Sequence, residues 1–179
     1  MEFFRLLESH NKTLTLNALP EKAGSFEPVL SLKAVKFHHD VLAKGYVDRY
    51  NHQEGDPKFN EAGAFLHNLY FDQFSQPDSV TMPSQLTKFL KQHFQSVDKF
   101  KQQFEETALK TQGSGWCYLS KKGTIELIAN HQIKRDIALI IDMWEHAFVL
   151  DYQADKKAYL AKHWKIINWQ VVQDRLVAI

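Results

Sequence analysis

With 179 residues, the chain is long enough for one sizeable core or for two small lobes that share one. Its 22 basic and 21 acidic residues give a net charge of +1, a balance that is atypical of nucleic-acid-binding and membrane-surface proteins. The single Cys117 excludes an internal disulfide bond and suits a reducing compartment. Only the nine histidines and the aromatic content of 13% depart from an ordinary globular composition.

The N-terminus has a short apolar start, MEFFRLL, but lacks the apolar core and small-residue cleavage site of a secretory signal. No run approaches the roughly 18 apolar residues of a membrane span. We therefore expect a mature sequence and a soluble, cytoplasmic protein.

The first half of the sequence predicts a helical hairpin. Ser31 is a candidate N-cap for a first helix, which the segment NHQEGDP ends. A second helix is predicted over residues 59–74. Apolar or aromatic residues recur at helical spacing in both segments, at Val35, Leu42, Tyr46 and Tyr50 and then at Phe59 and Phe71. Two helices this close in sequence favour antiparallel packing.

The second half predicts two further helices, a small sheet and a return to helix. Ser84 and Ser96 are candidate N-caps of the two helices. Two aromatic-rich runs that flank SKKG predict a β-hairpin, and the apolar segment DIALIID predicts a third strand covered on both faces. We predict an α+β fold: an N-terminal antiparallel helical hairpin domain over residues 1–80, and a C-terminal domain over residues 81–179 with a small antiparallel sheet surrounded by helices.

Four polar residues fall where the pattern expects burial: His38, His67, Asp142 and His146. Each one alone is more often a hydrogen-bonded structural or surface residue. Together, three imidazoles and a carboxylate suit a first-row metal ion with one position open for solvent or substrate. Because spacing does not show that the four meet in space, both interpretations stay open at this point.

The motifs around these residues carry a family resemblance. DMWEHAF, followed by LDYQADKKAYL and WKIINW, resembles the signature of the iron and manganese superoxide dismutases. EPVLSLKAVKFHHDVLAKGYV and FNEAGAFLHNLYF are similar to the two ligand-bearing helices of that family, and GSGWCYL is similar to the stretch before its sheet. The resemblance covers nearly the whole chain in the order of the family. It implies a helical hairpin lobe and a lobe with a three-stranded antiparallel sheet, with a metal ion between them.

The resemblance further implies a superoxide dismutase, which converts superoxide to dioxygen and hydrogen peroxide by redox cycling of one iron or manganese ion per subunit. The metal ligands would be His38, His67, Asp142 and His146. A homodimer is implied, with a tetramer as the alternative, and neither a nucleic acid nor a membrane is an expected partner. The alternative function is a metal-binding homologue with weak or no turnover.

Residues around the implied metal also have expected roles. Tyr46 would stand at the substrate channel, and Trp116 and Trp144 would line the pocket. The family takes the hydrogen-bond partner of its metal-bound solvent from one of two places. The first place is four residues before His67, where this chain has Gly63 and therefore no side chain to offer. We expect the partner from the second place, the loop ANHQIKRD before the third strand, with His131 as the better candidate and Gln132 as the alternative. Glu145 would reach a ligand histidine of a second subunit.

Two departures from the family pattern concern proton delivery. Leu42 stands where members usually have a second histidine, four residues after His38. Phe148 stands where many members have a tyrosine that bonds to that histidine across the dimer. Our hypothesis is that packing replaces this polar bridge, so that proton delivery is altered while metal binding is intact. The choice between iron and manganese stays open, since Gly63 favours the manganese arrangement whereas an outer histidine is common among iron and metal-promiscuous members.

Overall fold

The computed structural model describes residues 13–178. Residues 1–12 and residue 179 lie outside the described range, and with them the start of the segment that we interpret as mature sequence. Within residues 13–178, no helix is both long enough and apolar enough to cross a membrane.

The N-terminal hairpin contains one feature that helical spacing does not predict. Its first arm runs from α1 (Leu32–Lys36) through a π-helical segment (Phe37–Ala43) into α2 (Lys44–Asn51). Ser31 caps α1 as predicted, since its hydroxyl accepts from a backbone amide of the first turn. Apolar spacing cannot distinguish a helix with wider hydrogen-bonded turns from an α-helix. Such π turns are rare and concentrate at functional sites.

The second arm is α3 (Pro57–Asp72), whose start follows the usual chemistry of a helix N-terminus. The carboxylate of Asp56 accepts from the amides of Lys58 and Phe59, and Pro57 occupies the first helical position. The arm then packs against α2, where the absence of a side chain at Gly63 leaves room for the ring of Tyr46.

The rest of the chain confirms the α+β prediction. Two helices, α4 (Ser84–Phe94) and α5 (Val97–Ala108), precede the strands β1 (Gly115–Ser120), β2 (Ile125–Ala129) and β3 (Ile137–Asp142). The chain returns to helix in α6 (Val149–Tyr152), α7 (Lys156–His163) and α8 (Trp169–Val177). Short 3₁₀ turns lie at Ala23–Phe26, Glu145–Ala147 and Trp164–Ile166.

Of the two serines predicted to cap α4 and α5, one is confirmed and one is wrong. Ser96 caps α5 by accepting from the amide of Lys99. Ser84 is instead the first residue of α4, and Pro83 is its N-cap. Pro83 already has the extended backbone of an N-cap, with φ of −63° and ψ of 150°, so the helix begins one residue earlier than predicted.

The three strands form an antiparallel sheet in the order β2-β1-β3. All residues of β1 and β3 are buried, which confirms the prediction that the third strand is covered on both faces. Trp116 pairs with Asp142, so the register places an indole beside the carboxylate at the end of β3. The helical hairpin and the C-terminal helices cover this sheet.

The core of the described chain contains a histidine without a polar partner. His163, at the end of α7, is fully buried, and neither ring nitrogen makes a hydrogen bond. Its ring stacks on Tyr70 with 5.5 Å between centroids and lies 5.1 Å from the ring of Tyr159. Burial lowers the pKa of His163 to about 3, so the folded protein holds this imidazole neutral.

We expect His163→Phe to reduce the acid sensitivity of folding. Because the pKa of His163 falls from 6.5 to about 3 on folding, the unfolded chain takes up this proton first. The contribution of the neutral His163 to the free energy of unfolding is therefore fully present above about pH 6.5 and is lost as the pH falls towards about 3. Denaturant unfolding of the metal-free protein across this range measures how the free energy of unfolding changes with pH. In His163→Phe this slope should be shallower than in the wild type by about one proton, or about 1.4 kcal/mol per pH unit.

The control is His52→Gln, a change at an exposed histidine. An equal change of slope in both variants would contradict the assignment to His163.

Candidate metal centre

Four elements bring the predicted ligands to one point between the hairpin and the sheet. His38 comes from the π-helical segment, His67 from α3, Asp142 from the end of β3, and His146 from the 3₁₀ turn that follows. Their ligand atoms all lie within 4.8 Å of one another. Oδ2 of Asp142 is 3.2 Å from Nε2 of both His38 and His146, and 3.8 Å from Nε2 of His67.

Two buried nitrogens in this cluster lack hydrogen-bond partners within the described part of the chain, namely Nε2 of His38 and Nε2 of His67. The first lies near Asp142 but without the alignment of a hydrogen bond. For His67, Nδ1 lies 2.7 Å from the carbonyl oxygen of Gly63. A carbonyl can only accept, so Nδ1 carries the proton and the lone pair of Nε2 faces the cluster. Buried nitrogens of this kind are costly unless a cation or donor binds them, so the residues fit a metal ion.

The charge of the cluster also suits a cation. Burial by itself raises the pKa of Asp142, but His146 and His38 outweigh it and hold that pKa well below its ordinary value. The carboxylate is therefore ionised, and its Oδ1 accepts from the amide of Trp144 at 2.7 Å. Burial lowers the pKa of His38 below 6.5 and that of His67 well below it, so both imidazoles are neutral. Neutral imidazoles and a carboxylate are ligands for redox-active first-row ions.

His131 lies beside the cluster, whereas Gln132 is exposed to solvent. The structure thus brings only the first of the two loop candidates to the site. The ring of His131 stacks on Trp144 with 4.5 Å between centroids and lies 5.8 Å from the ring of His67. Burial lowers the pKa of His131 to about 4, so the ring is neutral at ordinary pH.

A hydrogen bond determines which nitrogen of His131 carries the proton. Nε1 of Trp116 donates to Nδ1 of His131 at 3.1 Å. An indole N–H cannot accept, so the neutral ring of His131 carries its hydrogen on Nε2. That nitrogen is buried and has no partner among residues 13–178, which leaves one donor without a partner there beside the cluster.

Tyr46 completes this side of the site. Its ring lies 5.3 Å from the ring of His67 and 4.8 Å from that of His131. Burial, with a further contribution from the charge of Asp142, raises the pKa of Tyr46, so the phenol keeps its proton. Glu145, by contrast, is exposed on the outside of the chain.

The surroundings of Gly63 explain why α3 carries no larger side chain at this position, on the side of the cluster where His131 lies. A Cβ atom at this position would lie 2.8 Å from ring atoms of Tyr46, closer than real contacts allow. The ring of Tyr46 therefore occupies the space that a larger residue would need.

The structure shows the surroundings of Leu42 and Phe148 within one chain. Leu42 is half-buried, but Phe148 is only 3% exposed within its own chain and packs against Tyr159, with 5.6 Å between ring centroids. Phe148 thus packs into the core of its own chain, and the hypothesis that it meets Leu42 across a dimer stays a prediction. The neighbouring Val149, at 36% exposure, is the residue that faces outward here.

Sequence reasoning missed the residues behind the ligands. The hydroxyl of Tyr159 donates to the backbone oxygen of Asp142 at 3.0 Å, so Tyr70, whose hydroxyl is 3.0 Å from that of Tyr159, donates in turn to Tyr159. Gln73 also contacts β3 from the end of α3. Tyr159 lies within the quoted motif LDYQADKKAYL, but only the fold shows that it reaches a ligand residue.

The family model for the C-terminal domain of iron/manganese superoxide dismutases matches residues 82–175. A superoxide dismutase [Mn/Fe] of Porphyromonas gingivalis is 30% identical over 91% of this chain and 99% of its own length. A superoxide dismutase [Fe] of Bacteroides fragilis is 30% identical over 92% of this chain and 100% of its own length. One from Methanothermobacter marburgensis, also named superoxide dismutase [Fe], is 26% identical over 92% of this chain.

These matches agree with a cluster of three histidines and one aspartate between a helical hairpin and a three-stranded sheet. The chain belongs to the iron/manganese superoxide dismutase family.

We expect Gly63→Ala to destabilise the protein through the ring of Tyr46. An overpacked methyl group typically costs about 1–3 kcal/mol, and the helix cannot move without shifting His67. Denaturant unfolding of the single variants Gly63→Ala and Tyr46→Ala and of the double variant measures the coupling. The effects should be non-additive, because removal of the ring removes the clash. Additive effects would show that the methyl group meets a different obstacle.

Proposed function

We propose that this protein is a superoxide dismutase that uses one iron or manganese ion per subunit, bound by His38, His67, Asp142 and His146. The observation that carries the proposal is the convergence of these ligand atoms in a buried cluster with unpartnered nitrogens, in a chain of this family. The proposed division into domains 1–80 and 81–179 would supply two ligands from each side. When bound, the ion would alternate between its +3 and +2 states and so exchange one electron with each superoxide.

The protein residues around the ion have separate tasks in this proposal. His131 presents its Nε2 hydrogen to solvent or substrate oxygen at the centre, and Trp116 keeps that hydrogen on the correct nitrogen. Tyr46, with its raised pKa, stays protonated and holds a hydrogen at the entrance. Trp144 stacks on His131 and excludes water from one face of the ring.

We further propose that the protein is a homodimer, with a tetramer as the alternative. Apolar side chains are exposed close to the site, and three of them, Phe37, Val41 and Leu150, line one shallow cavity. A second copy that covers them would remove this apolar surface from water. In this arrangement the exposed Glu145 would reach a ligand histidine of the second subunit. The proposed location is the cytoplasm, and the near-zero net charge favours neither a nucleic acid nor a membrane as partner.

Elemental analysis of protein purified from its natural host, combined with a superoxide assay, tests the proposed function. We expect iron or manganese at about one ion per chain, and activity that is lost on metal removal and restored by the same metal. His67→Ala should lose both metal and activity, because its nitrogen has no substitute in the cluster.

The matched control for this experiment is His52→Gln at an exposed histidine, which should keep both metal and activity. Native zinc would overturn the proposal, since zinc does not change oxidation state. Bound iron or manganese without turnover would overturn the dismutase and leave the metal-binding homologue.

The second candidate, a metal-binding homologue with weak turnover, is favoured by one observation. Leu42 presents no hydrogen-bonding group on a helical arm that also carries His38 and Tyr46. Proton delivery through this side would then depend on Tyr46 and His131 alone.

Leu42→His tests whether this gap limits the rate. If it does, the variant should raise turnover at high pH and reduce the solvent isotope effect, while metal content stays that of the wild type. Leu42→Gln is the control for polarity without an ionisable ring. Identical pH and isotope profiles in wild type and Leu42→His would refute the idea that proton delivery is altered here.

A further inference from the structure

The outer edge of β3 is sealed by side chains instead of by another strand. Because β3 lies at the end of the sheet order, alternate residues direct backbone groups away from β1. Unpaired backbone groups in a buried edge are costly. Helical side chains meet three such residues: Arg175 approaches the oxygen of Ala138, Gln73 binds Ile140, and Tyr159 donates to the oxygen of Asp142.

Gln73 makes the central contact of this edge. It is fully buried at the C-terminal end of α3, directly after Asp72. Its side-chain amide donates to the oxygen of Ile140, and its Oε1 accepts from the nitrogen of Ile140 at 3.2 Å. The amide thus pairs with β3 as the peptide group of a neighbouring strand would.

Arg175 holds that amide in one orientation. Its Nη1 donates to Oε1 of Gln73 at 3.2 Å, and its Nη2 donates to the oxygen of Leu69 at 2.7 Å. A guanidinium only donates, so Oε1 must face Arg175 and the amide nitrogen must face the oxygen of Ile140. Arg175 therefore connects α3 and β3 as Gln73 does.

These contacts connect α3, which carries the ligand residue His67, with β3, which carries Asp142. His67 is six residues before Gln73 on α3, and Asp142 is two residues after Ile140 on β3. A helix and a paired strand transmit position over such distances with little bending. The contact at Gln73 therefore constrains the 3.8 Å separation between Nε2 of His67 and Oδ2 of Asp142.

We propose that Gln73, held by Arg175, is a positioning residue that sets His67 against Asp142 and thereby sets the affinity of the site for its metal. This inference rests on the proposed metal centre. Gln73 itself is not among the four clustered residues, so it acts only through the elements that carry them. Loss of its amide leaves the nitrogen and oxygen of Ile140 unpaired in the core, which favours a shift of α3 or β3.

The experiment uses Gln73→Met, which keeps a side chain of similar length and removes both hydrogen bonds to Ile140 as well as the one from Arg175. Affinity for Mn²⁺ and Fe²⁺ is measured by competition with a chelator, and thermal unfolding is followed with and without metal. We expect an affinity lower by about tenfold or more, the range typical of residues that orient metal ligands. The rise in Tm on metal binding should shrink accordingly.

A purely structural role would give a different result. Leu90→Ala, at a buried position on α4, is the control for general loss of stability. It should lower Tm of the metal-free and metal-bound protein together and leave the metal affinity unchanged. If Gln73→Met behaves in the same way, with normal affinity and a normal rise of Tm, the positioning role is overturned.

A second variant covers the case in which Gln73→Met does not fold. Tyr159→Phe removes a single oxygen, and with it the hydrogen bond to the backbone of Asp142. It should also weaken metal binding, and an unchanged affinity would overturn positioning through this edge. Failure of the wild type to bind either metal is a distinct outcome, because it overturns the proposed metal centre itself.

Discussion

The structure depends on one buried carboxylate that faces three imidazoles. Asp142 is fully buried and ionised, and a lone charge in that position would be costly. It is stabilised by the amide of Trp144 and by His146, and His38 approaches it from the hairpin. Since His38 and His67 come from the hairpin, the full cluster forms only when the hairpin and the sheet are packed together.

The side chains around this charge lie in two layers. Nearest to it, His131, Trp116 and Tyr46 leave one donor and one phenol on the open side of the cluster. Behind it, Gln73 binds the backbone nitrogen and oxygen of Ile140, and Tyr159 binds the backbone oxygen of Asp142. We propose that the first layer serves the chemistry at the centre and that the second sets the position of the ligands.

A histidine outside the cluster is buried at least as deeply as the histidines of the cluster. His163 is as buried as His67, yet it lies among aromatic rings and outside the group of ligand atoms. A low pKa therefore does not by itself mark a ligand. The two histidines differ because His67 lies next to the carboxylate of Asp142 in the cluster, whereas His163 does not belong to it.

Much of the fold followed from local patterns. Apolar spacing, the caps at Ser31 and Ser96, and the apolar run of β3 each depend on neighbouring residues, so these predictions were confirmed. The start of α4 was misplaced by one residue, because Pro83 competes with Ser84 for the same role. The π-helical turn around His38 was also missed, since apolar spacing is similar in both kinds of helix.

The sequence by itself determined the α+β plan, the family resemblance and the identity of the four residues that cluster, because their motifs are contiguous and specific. Only the tertiary structure placed His131 beside the cluster and Gln132 in solvent, packed Phe148 into the core of its own chain, and joined Gln73 to β3. Each of these depends on which way a side chain faces and on what another segment places there. Such long-range contacts leave no periodic pattern in the chain, and so local reasoning could not find them.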